Sequence, residues 1–297
     1  MSLLTSEPIS QLAVSLLRRS LVLVATVSRV PGEEYGGPSG GTVTIRVPQP
    51  RSANEQETPG AEITYTDVDE TPVDVALKHF YDATRVTDED LTLKLEDFGR
   101  QVLRPQVAAV AEKGEDQLAT AMNGLTADGD IEWPASPDPD GDRDTVLAIR
   151  EKLTTNKVPA GSRYVAVAPD ITTRLLRIPE LVKASERGDG GAALDDATIG
   201  HVYGLTFVES NAIDAGTSVA YHSSAFGWGN RPPVAPGGGA DSSTARDGGV
   251  SLRHIIMFDP TRLATASVVS VFAGAAVVPE NEAGTDIKRA IRVGTAA

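Results

Sequence analysis

Four dissimilar segments follow one another along this chain of 297 residues, and their order limits the possible folds more than any single motif does. Alternating, β-branched stretches within residues 41–86 predict a long β-hairpin. Residues 105–123 predict one long amphipathic helix. Residues 159–169 predict a strand that leads directly into a helix, and residues 200–211 predict a strand that ends in a polar turn. No catalytic signature accompanies them, which indicates a building block that assembles with copies of itself.

The hairpin segment has little of its own to bury. Residues 42–47 alternate with period two, Pro48 ends that strand, and residues 61–66 and 73–77 alternate again. Between the strands lies a polar and charged tip, residues 51–60. Because an isolated two-stranded hairpin is only marginally stable in water, this one needs a surface to lie on.

The helix segment carries a stripe of mostly small apolar residues. Pro105 suits the first turn of a helix, and Asn123 followed by Gly124 is a typical helix end. Residues 96–103 predict a separate short helix before it. Small side chains let a partner approach closely. The stripe consists of Val107, Val110, Ala111, Gly114, Leu118, Ala121 and Met122.

The remaining segments mix helices with strands, which indicates the α+β class. Residues 1–40 predict an arm with little core of its own, which is disordered or becomes ordered only on a neighbour. Residues 124–145 resemble a linker, residues 145–178 alternate helix, strand and helix, and residues 230–243 form a flexible loop rich in Pro, Gly and Ser. Strands dominate from residue 192 onward, at 201–208, 217–221, 250–258, 267–278 and 287–293.

Composition excludes several classes of function. The formal net charge of −14 repels a phosphate backbone, which argues against general nucleic-acid binding. The absence of Cys excludes disulfides and thiolate metal sites. The apolar run at residues 21–25 is far shorter than the about 20 residues of a membrane span, and Arg18 and Arg19 interrupt the stretch that a signal peptide needs. We therefore expect a soluble protein that is made inside a cell.

Each motif that could carry chemistry lacks a required part. The acidic run at residues 138–144 suggests a calcium loop, but alignment on Gly141 puts Ser136 at the first ligand position and Leu147 at the twelfth. Residues 37–41 match G-x-S-x-G without the preceding strand and following helix of a nucleophile elbow. None of the four His stands in an H-E-x-x-H motif. The sequence therefore predicts no catalytic, cofactor or metal site, and no enzyme.

Trp228 lies in residues 226–230, whose glycines predict a mobile loop. Its side chain either packs back onto its own domain or contacts a neighbouring subunit, because exposed aromatic side chains favour interfaces. Both interpretations stay open, and the second makes Trp228 a candidate inter-subunit contact.

In order and spacing, these segments resemble those of the major capsid proteins of tailed bacteriophages, which share the Hong Kong ninety-seven (HK) type fold. The resembling stretches are residues 41–48, residues 95–105 leading into the long helix, residues 158–169 and residues 204–211. The resemblance implies a division of the chain into five parts. These are an N-terminal arm (1–40), an extended β-hairpin loop that reaches over an adjacent subunit (41–86), a peripheral domain with a long spine helix (87–160), a mostly axial domain (161–275) and C-terminal strands that return to the peripheral domain (276–297).

The resemblance also implies a structural protein that self-assembles into hexamers and pentamers. These would form the icosahedral shell around the double-stranded DNA genome of a tailed phage, without sequence-specific DNA binding. The protein would reside in the virion after assembly in the host cytoplasm. Its partners would be copies of itself, a separate scaffolding protein, a portal and a decoration protein. Two alternatives stay open: an encapsulin-like shell of a cellular compartment, and a monomeric hydrolase or binding module built on the acidic loops.

Neighbouring subunits that each carry a net charge of −14 repel one another, so close packing needs compensation. Salt supplies part of it. Ion pairs between the hairpin and the short helix of neighbouring subunits are expected to help set the register between them. The basic candidates are Arg46, Arg51, Arg100 and Arg104, and the acidic candidates are Glu55, Glu57, Asp67, Asp69 and Glu70.

Overall fold

The computed structural model describes residues 6–31, 41–48, 53, 55, 62, 65, 70–89, 98–178, 200–234, 241–247, 249–280 and 287–296. These residues form two six-stranded sheets, a two-stranded hairpin and several helices, which confirms the predicted α+β class. The main helices are α1 (Ser6–Ser20), α2 (Arg104–Asn123), α3 (Pro139–Thr155) and α4 (Pro169–Leu175).

The strands are named in chain order. They are β1 (Ser28–Pro31), β2 (Thr42–Pro48), β3 (Glu70–Ala76), β4 (Lys78–Thr87), β5 (Ala127–Trp133), β6 (Arg163–Val167), β7 (His201–Val202), β8 (Leu205–Glu209), β9 (Ser218–His222), β10 (Phe226–Arg231), β11 (Asp241–Asp247), β12 (Val250–Asp259), β13 (Ala264–Val277) and β14 (Ala290–Thr295).

The first sheet is organised around its longest strand, β13. Strand β4 pairs with one edge of β13, while β12 and β10 pair one after the other with the opposite edge, all antiparallel. Strand β11 extends the sheet beyond β12, and β1 extends it beyond β10 in parallel. Helix α2 packs on β13 and β4, so the sheet and this helix share one core.

The second sheet has the strand order β5-β14-β9-β6-β8-β7. Helices α3 and α4 supply Ile149 and Ile171 to the same apolar core as Val165 of β6. Tyr203 and Gly204 both adopt positive φ, at 50° and 80°. Such a pair makes the two-residue turn that lets β8 fold back on β7.

Helix α2 is continuous with helical structure upstream of Pro105, where the sequence predicted two separate helices. A proline inside a helix has no N–H to donate, and its ring clashes with the carbonyl four residues earlier. The chain accommodates Pro105 with a π-helical turn, Gly99–Leu103, in which the Arg104 N–H donates to the Gly99 carbonyl. The predicted apolar stripe of α2 is buried, except that Ala121 is only half-buried.

The N-terminal arm packs against its own chain over residues 6–31, which corrects the prediction that it has little core of its own. Ile9, Ala13, Val14 and Leu17 are buried on one side of α1. This side lies against β11, β12 and α2. One apolar side of α1 is sufficient for this packing because the sheet supplies the rest of the core.

Several predicted boundaries do not follow the sheets. Residues 127–133 form a strand inside the predicted linker, and the strand 241–247 begins inside the predicted loop 230–243. The pairing of β2 with β3 ends at Ala76, so residues 78–87 belong to the first sheet and not to the hairpin. The predicted unit 161–275 divides between both sheets, and β14 joins the second sheet and not the sheet beneath α2.

Candidate assembly surfaces

The hairpin of β2 and β3 has one buried and one exposed side. Val43 and Val75 are buried against the first sheet. On the exposed side, the Thr44 hydroxyl donates to the Asp74 carboxylate at 2.6 Å. The hairpin therefore has a base that is fixed on its own subunit.

Few residues on or near the hairpin tip are described. Glu55 and Tyr65 are both exposed. The other candidates on or near the tip, Arg51, Glu57, Asp67 and Asp69, lie outside the described residues.

Arg46 pairs with Glu70 of its own hairpin, with 3.6 Å between the guanidinium and the carboxylate. The sequence had placed these two side chains on opposite sides of a subunit boundary. Arg46 is nevertheless 77% exposed, so its guanidinium is accessible to a neighbour as well. Arg100 and Arg104 are exposed where the helical segment containing α2 begins.

Trp228 packs onto its own chain, which favours the first of the two interpretations over the inter-subunit contact. Its side chain is 1% exposed, lies in strand β10 rather than a mobile loop, and faces α2. The indole N–H points at the Gly114 carbonyl at 3.4 Å. The glycine in the helix stripe gives the indole ring room, so Trp228 joins the sheet to α2.

The outer end of β12 and β13 forms an apolar surface that the sequence analysis missed. Met257, Phe258 and Leu263 are 53%, 50% and 62% exposed. Successive strand residues point to opposite faces, so the exposure of both Met257 and Phe258 shows that neither face is covered there. The signal in the sequence is an apolar run at 255–258 without polar alternation.

Buried polar contacts tie the two sheets together through the segment after α1. The Thr26 hydroxyl donates to the Leu23 carbonyl at 2.6 Å and lies 2.5 Å from the Tyr221 hydroxyl, which must then be the donor to Thr26. Burial raises the pKa of Tyr221, which keeps that hydroxyl protonated. The Glu115 carboxylate of α2 accepts the Leu23 N–H at 2.7 Å, and burial raises its pKa.

The acidic residues of the rejected calcium loop have structural roles. Asp138 caps α3 by accepting the Asp140 N–H at 3.3 Å. Asp142 is buried and meets the Arg174 guanidinium at 2.6 Å. Within the described part of the chain, no group of three or more His, Asp or Glu is placed to hold a metal ion.

A cavity of about 400 Å³ lies between α2 and the turn that follows β8. Its carboxylates are those of Glu112, Glu115, Asp116 and Glu209.

No described helix is both long and apolar enough to span a membrane.

The chain is similar to known proteins at the level of family and of fold. The model of a phage capsid protein family matches residues 69–285. A structure of Mycobacterium phage Che8 is similar with a TM-score of 0.60 and 20% identity, over 92% of this chain and 90% of that one. A comparison with curated protein sequences gives no significant match.

Two further structures have the same fold. The capsid of a native GTA particle gives a TM-score of 0.59 at 9% identity, over 94% of this chain and 91% of that one. A virus-like particle from Pyrococcus furiosus gives 0.53 at 10% identity, over 96% and 97%. Identities this low show a shared fold, which confirms the predicted HK-type architecture.

Proposed function

Because the chain belongs to the phage capsid protein family, and is thus a structural protein of a capsid shell, we propose that its copies form hexamers and pentamers. These close into an icosahedral shell around the double-stranded DNA of a tailed phage. The observation that carries the proposal is the family match over residues 69–285, which includes α2, most of both sheets and β3 of the hairpin.

The geometry supports assembly through two unlike surfaces. The described tip residues, Ala53 and Glu55, are exposed at one place, and the apolar end of β12 and β13 is exposed at another. A contact between unlike surfaces is heterologous, and such contacts generate rings when the rotation closes. Each subunit would give its hairpin to one neighbour and receive one from the other.

The two sheets correspond to the two domains that the HK-type fold implies. We assign the first sheet with α1 and α2 to the peripheral domain, since it contains the long helix and supports the hairpin. We assign the second sheet with α3 and α4 to the axial domain, whose tips meet at the centre of each capsomer.

The partners follow from this role. The protein resides in the virion after assembly in the host cytoplasm and has a structural role, not an enzymatic one. Its contacts are with its own copies, a scaffolding protein, a portal and a decoration protein. The net charge of −14 gives no general affinity for phosphates, so DNA is enclosed and not bound by sequence.

Electron microscopy of particles isolated from the producing cells tests the proposal. Class averages of the particles are expected to show both fivefold and sixfold capsomers. Particles built from capsomers of one symmetry alone would overturn the hexamer-pentamer arrangement, and a preparation without rings or shells would overturn the proposal as a whole.

The similarity to the virus-like particle from Pyrococcus furiosus supports a second candidate, the shell of a cellular compartment. The two candidates differ in their contents. Nuclease-protected double-stranded DNA in particles isolated from the producing cells supports the phage shell, whereas a stoichiometric second protein inside DNA-free particles supports the compartment.

A further inference from the structure

The base of the hairpin rests on three glycines of its own subunit, Gly227 and Gly229 of β10 and Gly274 of β13. Gly229 lies directly opposite Gly274 in the sheet, and Gly227 lies opposite Ala276. Residues 227 and 229 share a face because they are two positions apart in a strand. We call these three residues the glycine seat.

Each glycine of the seat occupies a place where a side chain would meet the hairpin base. A Cβ added at Gly274 would overlap the carbonyl oxygen of Ala76 and would lie 3.0 Å from its carbonyl carbon. A Cβ at Gly227 would overlap Cδ1 of Ile45, and a Cβ at Gly229 would lie 3.3 Å from Cδ2 of Leu77. The hairpin is therefore closer to the sheet than any sequence with side chains at these positions allows.

The three contacts differ in how easily they can yield. Ile45 Cδ1 is the end of a flexible side chain, which can rotate away. The Ala76 carbonyl is backbone at the point where β3 leads into β4 through Leu77, whose N–H donates to the Gly41 carbonyl at 2.7 Å. A clash at Gly274 can be relieved only by moving the hairpin base and strand β13 apart.

The opposite face of β10 is also occupied, so β10 cannot move away from the hairpin toward α2. Trp228 points to that face and fills the space between the sheet and α2. The sequence Gly-Trp-Gly thus places a bulky side chain toward the helix and none toward the hairpin, and the sheet lies between two fixed layers.

We propose that the glycine seat sets the direction in which the hairpin leaves the subunit, so that each subunit meets its neighbours with the hairpin already oriented. Gly274 is the main positioning residue, because its contact is with backbone. Because the tip is connected to the far end of the paired strands, a small rotation of the hairpin base displaces the tip more than the base. This role in assembly rests on the proposed shell function, whereas the orientation of the hairpin does not.

A distance measurement on unassembled subunits tests the orientation directly. The chain contains no Cys, so Cys introduced at the exposed positions Arg46 and Glu151 takes spin labels at these two sites only. We expect Gly274→Ala to shift the distance distribution between the labels. Gly294→Ala is the matched control, since it makes the same change in a strand where a Cβ meets nothing within 4 Å. A Gly274→Ala distribution that superimposes on that of the parent would overturn the proposal.

A rescue pair keeps the test decisive if Gly274→Ala does not fold. Gly227→Ala is expected to give a smaller shift, and Ile45→Val should abolish it by removing the clashing Cδ1 atom while keeping Cγ1, which lies 3.6 Å from the added Cβ. Ile45→Val alone should leave the distance unchanged. A shift in Gly227→Ala that persists in the double variant would show that the seat does not act through this contact.

Assembly of the same variants separates the two claims. We expect loss of normal particles for Gly274→Ala and normal particles for Gly294→Ala. Gly227→Ala should reduce the yield of normal particles less, and adding Ile45→Val should restore it. If none of the variants nor the parent forms particles, the shell function fails while the distance data still decide the orientation. If Gly274→Ala shifts the hairpin but assembles into parent-like particles, the positioning role is wrong.

Discussion

Asp142 and Arg174 form a buried ion pair between α3 and α4, at 2.6 Å. Removing one partner of such a pair leaves the other charge buried without compensation, which costs about 3–5 kcal/mol. We expect Asp142→Ala to lower the free energy of unfolding of the subunit by that amount, measured by urea denaturation. Asp144→Ala is the control two residues along the helix, because Asp144 is exposed and its pair with Arg143 contributes about 0–1 kcal/mol. Equal decreases in the free energy of unfolding of the two variants would contradict the buried ion pair between Asp142 and Arg174.

His254 is a fully buried histidine in a polar network that joins β12 and β13 to α2. The Ser267 hydroxyl donates to the Gln106 side chain at 2.8 Å, so His254 must donate its Nε2–H to Ser267, at 3.0 Å. Its Nδ1 then has no hydrogen-bond partner. Burial lowers the pKa of His254 to about 4, and the charge of Asp241 opposes this only in part.

The lowered pKa of His254 predicts a loss of stability in mild acid. Below about pH 6.5 the unfolded chain binds a proton at this position that the folded chain does not, so the free energy of unfolding falls as the pH drops from 6.5 toward 4. The difference between the two pKa values corresponds to about 3 kcal/mol. We expect His254→Gln to flatten the pH dependence of the unfolding free energy in this range. A wild-type slope in His254→Gln would contradict the prediction.

At the scale of single residues, the sequence could supply chemistry but not neighbours. The ligand positions argued against a calcium loop, yet the sequence could not show that Asp142 has a cation thirty-two residues away. The glycines around Trp228 suggested mobility, because glycine permits both free loops and close packing. Only the hairpin lying on Gly227 and Gly229 distinguishes the two.

At the scale of elements, α2 offers a direct test of its buried stripe. Leu118 is fully buried in the core between α2 and the first sheet. An unpaired charge there costs several kcal/mol, which is comparable to a typical domain stability of about 5–15 kcal/mol. We expect Leu118→Asp to give insoluble protein, judged by the soluble fraction after expression. Ala109→Asp, on the exposed side of the same helix, should stay soluble, and a soluble Leu118→Asp would contradict the packing.

Elements with a strong local pattern were predictable. The stripe of α2, the strand-to-helix step at β6 and α4, and the alternation of β2 all follow from period and turn residues. Strand β5 was missed because its charged sequence, Ala127–Trp133, shows apolar side chains only at its end. The continuous helical segment around Pro105 was predicted as two helices. A π-helical turn before a proline has no sequence signature that distinguishes it from a helix end.

At the scale of the whole molecule, the net charge of −14 acts between subunits. Arg46 is exposed and its pair with Glu70 is half-open to solvent, so losing that pair should cost the subunit little. We expect reversal of Arg46 and Arg51 to Glu to slow assembly without unfolding the subunit, monitored by light scattering and circular dichroism. Added salt should reduce the difference, because it screens charges beyond about 10 Å at 0.1 M.

The control for the charge reversal is a second charge reversal. Lys at one of the acidic positions, such as Glu55, should partly restore the rate if a neighbour's carboxylates face these arginines. If the variant with both Arg46 and Arg51 changed to Glu assembles at the wild-type rate across a salt series, the hairpin arginines do not set the register. The shell function would be unaffected by that result.

The arrangement of the chain into two sheets was the least predictable feature, because it depends on which distant strands pair. Strand β14 returns to β5 and β9 across more than sixty residues, and nothing local in residues 290–295 selects those partners. The capsid resemblance survived these errors because it rests on the order of the segments, which the sequence does contain.

Sedimentation velocity of the purified full chain, over a concentration series at moderate salt, tests the central claim that this protein builds a shell from its own copies. We predict a fast-sedimenting species of ring or shell size whose fraction grows with protein concentration. A single species of monomer size at every concentration and salt tested would contradict the account.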